Sequence, residues 1–70
     1  MFSVTLRSAD RIRRYEIVHR ISGWEVTLEG DGEVPQHICY HDWHRVERAL
    51  ARFRLEVSEL TERGWREVRL

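Results

Sequence analysis

The stretch from Asp42 to Gly64 constrains the fold more than any other part of the chain, because it is long and periodic enough to form one side of a core. Its apolar residues recur at alternating spacings of three and four, which places them in one stripe along an α-helix. These residues are Trp43, Val46, Leu50, Phe53, Val57 and Leu60. The pattern predicts a helix of about six turns, whose apolar stripe the rest of the chain must cover.

Residues at both ends of this predicted helix favour the start and the end of a helix at these positions. Asp42 is a good N-cap, because its carboxylate can accept hydrogen bonds from the free backbone N–H groups of the first turn. At the other end, Gly64 suits the left-handed position that follows a helix. Trp65 comes next, and we expect its ring to pack back on Leu60, the hydrophobic contact of that motif.

Much of the remaining chain alternates between apolar and polar residues, as half-buried strands do. The first strand has Phe2, Val4 and Leu6 on its inner face. A longer second strand runs from Ile12 to Ile21, and a short last strand, residues 65–70, is expected to lie beside the first. The predicted inner residues of these two strands are Tyr15, Ile17, His19, Ile21, Val68 and Leu70.

A serine-glycine pair at positions 22–23 predicts a hairpin between the second and third strands. A two-residue loop at this point places Ile21 opposite Trp24 and Arg20 opposite Glu25. Apolar residues then meet on one face and opposite charges on the other, whereas a shift by one residue would destroy both patterns.

The Gly-Asp-Gly sequence at positions 30–32 predicts a second hairpin, with a three-residue loop that sets Leu28 opposite Val34. Pro35 has no N–H to donate to a neighbouring strand, so we expect the fourth strand to lie at the edge of the sheet. Its predicted core-facing residues are Ile38 and Tyr40.

Together these elements predict one α+β domain over residues 1–70, in the order β-β-β-β-α-β, with one long helix packed on one face of a four- or five-stranded antiparallel sheet. A composition of 41% hydrophobic and 34% charged residues is ordinary for a folded domain, and a net charge of zero argues against general attraction to nucleic acid. The single cysteine cannot form an internal disulfide, and no apolar run is typical of a membrane span or a signal peptide. We therefore expect a cytoplasmic protein with no membrane partner.

Residues 37–44, which span the end of the fourth strand and the start of the helix, contain the only cysteine and three of the four histidines. Strand alternation places His37, Cys39 and His41 on one outward face, where nitrogen and sulfur donors could bind zinc. The alternative is an exposed sheet edge on which the histidines pair with neighbours such as Glu25. A nearby histidine could also activate the Cys39 thiol, but no oxyanion-hole donor or third catalytic group is evident in the sequence. We predict a protein that is not an enzyme and needs no cofactor.

The helix has arginines in its first half and glutamates in its second, the reverse of the order that the helix macrodipole favours. Arg45, Arg48 and Arg52 lie on its outward side and predict a positive stripe, extended by His44, that could meet phosphates or an acidic partner. The alternative is a solvated face whose charges pair along the helix, as Arg52 would with Glu56.

Leu55 lies nearly opposite the apolar stripe and adds an exposed apolar group to this side of the helix, where a homodimer could form. The first hypothesis is a non-catalytic interaction module that binds another protein or itself through Arg45, Arg48, Arg52 and Leu55. The second is a nucleic-acid-binding module. The residues that would contact nucleic acid are Arg14, Arg20, His44, Arg45, Arg48 and Arg52.

From Tyr15 onward the chain has a strand, a Gly-Trp hairpin at 23–24 and a helix that ends in Gly-Trp at 64–65. The helix includes the apolar residues Ala49, Phe53 and Leu60. In these features the chain resembles the WGR domain, a small DNA-associated module of one sheet and one helix. The Trp-Gly-Arg signature of that family is absent, and residues 27–29 (Thr-Leu-Glu) stand roughly where it would be sought. The resemblance implies an association with DNA.

Overall fold

The computed structural model describes residues 2–69, and within them the chain forms a five-stranded antiparallel sheet and one helix. The elements in chain order are β1 (Phe2–Ser8), β2 (Arg11–Arg20), β3 (Gly23–Gly30), β4 (Gln36–Tyr40), α1 (Trp43–Glu62) and β5 (Arg66–Glu67). The strands lie in the order β4-β3-β2-β1-β5, with α1 packed on one face. This confirms the predicted α+β fold. Among the described residues, no helix is both long and apolar enough to cross a membrane.

The two ends of α1 have the predicted caps. The Asp42 carboxylate accepts a 3.0 Å hydrogen bond from the backbone N–H of His44. After the last turn, Gly64 has a φ of +103°, and the backbone N–H of Trp65 donates to the carbonyl of Leu60 at 3.0 Å. This reversal is the Schellman motif, and it turns the chain back so that Trp65 packs against the core.

The core lies between α1 and the central strands. The sheet contributes Leu6, Tyr15, Ile17 and Val26, and the helix contributes Val46, Ala49 and Phe53. The rings of Tyr15 and Phe53 meet edge to face, with their centroids 5.0 Å apart. Trp43 is 45% exposed although it belongs to the predicted stripe, because it is the first residue of the helix and its ring packs on Trp24 alongside the core.

The β2–β3 hairpin has the predicted faces, but the predicted register is wrong by two residues. The loop consists of residues 21–22, and Trp24 lies opposite His19, with the two rings stacked 4.9 Å apart. Ile21 is fully exposed in the turn and does not contribute to the core. Because strand side chains alternate with a period of two, a shift of two residues keeps every strand residue on its predicted face.

The register follows from the position of Gly23, which begins β3 and is not part of the loop. Its φ is +142°, and a Cβ at this position would collide with the carbonyl oxygen of Tyr40 on the neighbouring strand. Only glycine allows the two backbones to come this close. The close approach of β4 therefore holds the glycine in the sheet and moves the turn to the two residues before it.

The β3–β4 hairpin differs from its predicted register by two residues as well. Leu28 pairs with the first residue of β4 and not with Val34, which is 88% exposed in a loop that spans residues 31–35. Asp31 ties this loop to the start of β2, because its carboxylate accepts a 2.7 Å hydrogen bond from the backbone N–H of Ile12.

β4 lies at the edge of the sheet, as Pro35 predicted. Tyr40 is partly buried against the core, as expected. Ile38 lies opposite Val26 but is 44% exposed. It stays exposed because an edge strand has a neighbour on only one side and is less covered by the helix.

The short strand β5 pairs with β1, as predicted, but one of its expected core residues faces the other way. Val68 follows the strand, and its backbone N–H donates to the carbonyl of Thr5 at 2.8 Å. It lies beside Ser3 and Thr5, which point away from the helix, so its predicted core position is wrong. The other predicted inner residue, Leu70, lies outside the described residues.

Candidate functional site

An open groove runs between the first half of α1 and the edge strand β4. Its volume is about 370 Å³. The lining residues are Tyr40, Arg45, Arg48, Ala49 and Arg52, and this set is called the arginine groove below. Helical spacings of three and four place the arginines on one flank of the helix. Ala49 is buried beside them, and its small side chain leaves room for the groove.

The arginine side chains that line this groove are exposed, and within residues 2–69 they have no carboxylate partner. The ion pairs found within residues 2–69 are Arg13–Glu33, Arg14–Glu29, Arg20–Glu25, His37–Glu25 and Arg69–Glu67. The pair expected between Arg52 and Glu56 does not form, and the guanidinium of Arg52 lies instead 5.9 Å from the ring centre of Phe53. The positive charge of the groove is therefore not neutralised by the helix.

Leu55 extends the surface of the arginine groove along the helix. It follows Arg52 by three residues and Arg48 by seven, so it lies on the same side. Its side chain is 61% exposed. The four residues predicted to bind a partner thus form one continuous surface, with charge at one end and an apolar group at the other. His44 is exposed but does not line the groove.

The structure separates Arg14 and Arg20 from the helix arginines. Both alternate along β2 with Tyr15 and Ile17, which face α1, so the two arginines project from the opposite face of the sheet. Each also has a carboxylate partner, Arg14 at 2.9 Å from Glu29 and Arg20 at 3.5 Å from Glu25. The six residues predicted to contact nucleic acid therefore do not form one surface.

The predicted metal ligands are only partly brought together. His37 and Cys39 lie side by side on the open face of the sheet with Glu25 of β3 as their neighbour. His41 is not in this cluster: it follows the end of β4, and its Nδ1 lies 2.6 Å from the carbonyl oxygen of Ser22. The sequence indicates Glu25 as a partner of Arg20 and of the histidines, and the strand register also makes it a neighbour of the thiol.

A buried polar cluster on the helix side was not evident in the sequence. The hydroxyl of Tyr15 and one carboxylate oxygen of Glu56 are both buried without a hydrogen-bond partner. Burial raises the pKa of the Tyr15 phenol. The nearby Arg13 guanidinium lowers this pKa, and the Glu56 carboxylate raises it further. The nearby phenol in turn raises the pKa of Arg13. The only signal in the sequence is that Glu56 follows the buried Phe53 by one helical turn.

A second cavity, of about 200 Å³, lies on the opposite flank of α1. Its apolar lining includes Phe2, Ile17 and Trp43, and Arg54 is the one charged residue at its rim. Arg54 is thus an exposed arginine on the same helix that cannot reach the arginine groove, which makes it a natural control.

No protein-family model, curated protein or solved structure matches the chain. The resemblance to the WGR domain therefore stays a prediction.

Proposed function

We propose that the chain is a non-catalytic interaction module whose arginine groove binds an acidic segment of a partner protein. The observation that carries this proposal is the convergence of three unpaired arginines on one open groove. A cytoplasmic location is part of the proposal, because the exposed free thiol of Cys39 suits a reducing compartment.

The chemistry of the groove fits carboxylates. Guanidinium groups bind carboxylates through two parallel hydrogen bonds, and these charge-assisted contacts are about twice as strong as neutral ones. From Arg45 to Arg52 the helix rises by about 10 Å, the length of about three residues of extended chain. A short extended segment with acidic side chains on one face would therefore reach all three arginines. Leu55, beyond Arg52, would accept an apolar residue of the same partner.

The extent of the positive surface favours a protein over a nucleic acid. Glu56 and Glu59 follow Arg52 on the same side of α1, so the positive surface ends after about two turns. Arg14 and Arg20 cannot extend it, because they lie on the other face of the sheet and are already paired. A phosphate backbone would meet few cations before it reached acidic residues, and the chain as a whole carries no net charge.

A labelled glutamate-rich peptide tests the proposal by fluorescence anisotropy in dilute buffer. Arg48→Gln removes one groove charge, and Arg54→Gln removes the same charge from the opposite flank of the helix. We expect Arg48→Gln to weaken binding by about tenfold, the value of one charge-assisted hydrogen bond, and Arg54→Gln to leave binding unchanged. No binding of the peptide, or equal losses in the two variants, would overturn the proposal.

A labelled DNA oligonucleotide in the same assay tests the alternative suggested by the WGR resemblance. Oligonucleotide binding that is tighter than peptide binding and falls steeply with added salt would establish the nucleic-acid function instead. No DNA binding in dilute buffer would support the protein partner.

The exposed Leu55 favours a second copy of the chain as one such partner. Sedimentation of the wild-type protein beside Leu55→Glu tests this form of the proposal. A dimer that Leu55→Glu dissociates is the expected result, and a wild-type protein that remains a monomer at high concentration would exclude it.

A further inference from the structure

The open face of the sheet, opposite the arginine groove, brings three different metal-binding side chains together at one edge. Glu25 of β3 lies directly opposite Cys39 of β4, and His37 lies two residues along β4 on the same face. A carboxylate oxygen, an imidazole nitrogen and the thiol sulfur lie within 4.8 Å of one another. We propose that Glu25, His37 and Cys39 form a binding site for a divalent transition metal ion, with zinc as the best fit.

The types of donor select the metal. Thiolate and imidazole ligands favour zinc and its neighbours in the transition series, whereas magnesium and calcium prefer sites made of oxygen atoms alone. In a tetrahedral zinc site the ligand atoms are about 3.3–3.8 Å apart, given bonds of about 2.0–2.3 Å. His37 Nε2 and the Glu25 carboxylate, 3.7 Å apart, already have this spacing. The widest separation in the cluster, which is at most 4.8 Å, would need to shrink by about 1 Å. His37 and Cys39 are exposed, so their side chains have room to rotate.

The backbone supports this arrangement. The register of the β3–β4 pair holds Glu25 and Cys39 opposite each other, where Cβ atoms are normally about 5 Å apart. His37, the third ligand, lies on the same strand as Cys39 and on the same face, because residues two apart on a strand share a face. Three protein ligands leave the fourth tetrahedral position to water, and on binding the thiol releases its proton to solvent.

Arg20 is a cation that would compete with a metal ion at this site. Arg20 lies 3.5 Å from the Glu25 carboxylate, and the Nε2 of His37 lies 3.7 Å from the same oxygen. A bound metal ion would take the place of both contacts, because the Glu25 carboxylate and the His37 imidazole would bind the ion directly. The guanidinium of Arg20 would repel the ion. Removing the charge of Arg20 should therefore strengthen metal binding, whereas removing a ligand should weaken it.

Cobalt(II) is the spectroscopic probe, used with tag-free protein under a non-thiol reductant. We expect one cobalt ion per chain to produce a near-ultraviolet thiolate-to-metal absorption band, and zinc to displace it. Cys39→Ser should abolish the band, and His37→Gln and Glu25→Gln should each weaken zinc binding by more than about tenfold, since even a hydrogen-bonding partner of a ligand is worth about 10- to 100-fold. Arg20→Gln should raise the affinity.

His41→Gln is the matched control, because it removes a histidine at the end of the same strand that lies outside the cluster. Its affinity for zinc should equal that of the wild-type protein. Because all five substituted side chains are exposed or partly exposed, circular dichroism should show folded variants. The proposal is overturned by the lack of saturable binding, by a cobalt band that survives in Cys39→Ser, or by an equal loss of affinity in His41→Gln.

Discussion

Gly23 faces the carbonyl group of Tyr40 so closely that no side chain fits between the two strands. A Cβ at this position would collide with the carbonyl oxygen and would lie 3.2 Å from the carbonyl carbon. Gly64 provides the matched comparison: its φ is also positive, at +103° against +142°, but a Cβ there would meet no atom within 4 Å. Gly23→Ala therefore combines backbone strain with a collision, and Gly64→Ala introduces strain alone.

The difference between the two substitutions can be estimated. Strain at a positive φ costs about 1–3 kcal/mol in both variants. In Gly23→Ala the carbonyl of Tyr40 must also move, which breaks about two hydrogen bonds at the start of the β3–β4 pair, at about 1 kcal/mol each. We expect Gly23→Ala to lower the free energy of unfolding by about 3–5 kcal/mol, of the about 4–10 kcal/mol that 70 residues provide.

Urea unfolding followed by tryptophan fluorescence measures both losses. Gly64→Ala should remain folded and lose less than Gly23→Ala by about 2 kcal/mol. If both proteins fold, Gly23→Ala should also bind the acidic peptide more weakly, since Tyr40 lines the arginine groove. A Gly23→Ala protein that fails to fold while Gly64→Ala folds agrees with the prediction. Equal losses in the two proteins would refute the argument that β4 approaches too closely for a side chain.

Three further predictions follow from the core, the helix cap and the buried phenol. Phe53→Ala should lower the free energy of unfolding by about 3–5 kcal/mol in urea, because the ring is 1% exposed and leaves a cavity. Asp42→Ala should cost about 1 kcal/mol in the same assay, because the first turn of α1 loses its cap, and exposed Asp10→Ala should cost less. Because burial raises the pKa of Tyr15 in the folded state, its neutral form contributes stability that is complete below the unfolded value of about 10 and declines as the pH rises above it. Stability measured across that range should fall less steeply in Tyr15→Phe, and an unchanged slope would contradict the assigned cause.

The helix and its caps could be read from the sequence because they depend on local interactions. The spacing of the apolar residues defines one helix face wherever the helix packs, and Asp42 and Gly64 act on backbone groups within a few residues. The strand faces were also predictable, because alternation along a strand is local. Local alternation does not set the pairing of two strands to within two residues, and both hairpin registers were wrong by that amount.

The candidate sites depended more strongly on the tertiary structure. The spacing of Arg45, Arg48 and Arg52 predicted one charged flank, but only the position of β4 makes that flank one wall of a groove. Alternation along β2 places Arg14 and Arg20 away from the core, but only the assembled sheet shows that this face is separate from the outer flank of α1 and that both arginines are paired there. For the proposed metal site, the sequence contained two ligands on β4, and the register of β3 supplied Glu25 as the third.

By itself, the amino-acid sequence determined the length and caps of the helix, the inner face of most strand residues and the absence of an internal disulfide. Each of these depends on the period of the backbone or on the residue types present, and none of them requires knowledge of distant neighbours. The tertiary structure alone decided which charged groups are paired and which are free. Salt bridges and metal ligands join residues from separate strands, and their partners are set by strand register, which here follows from the tight contact between Gly23 and Tyr40.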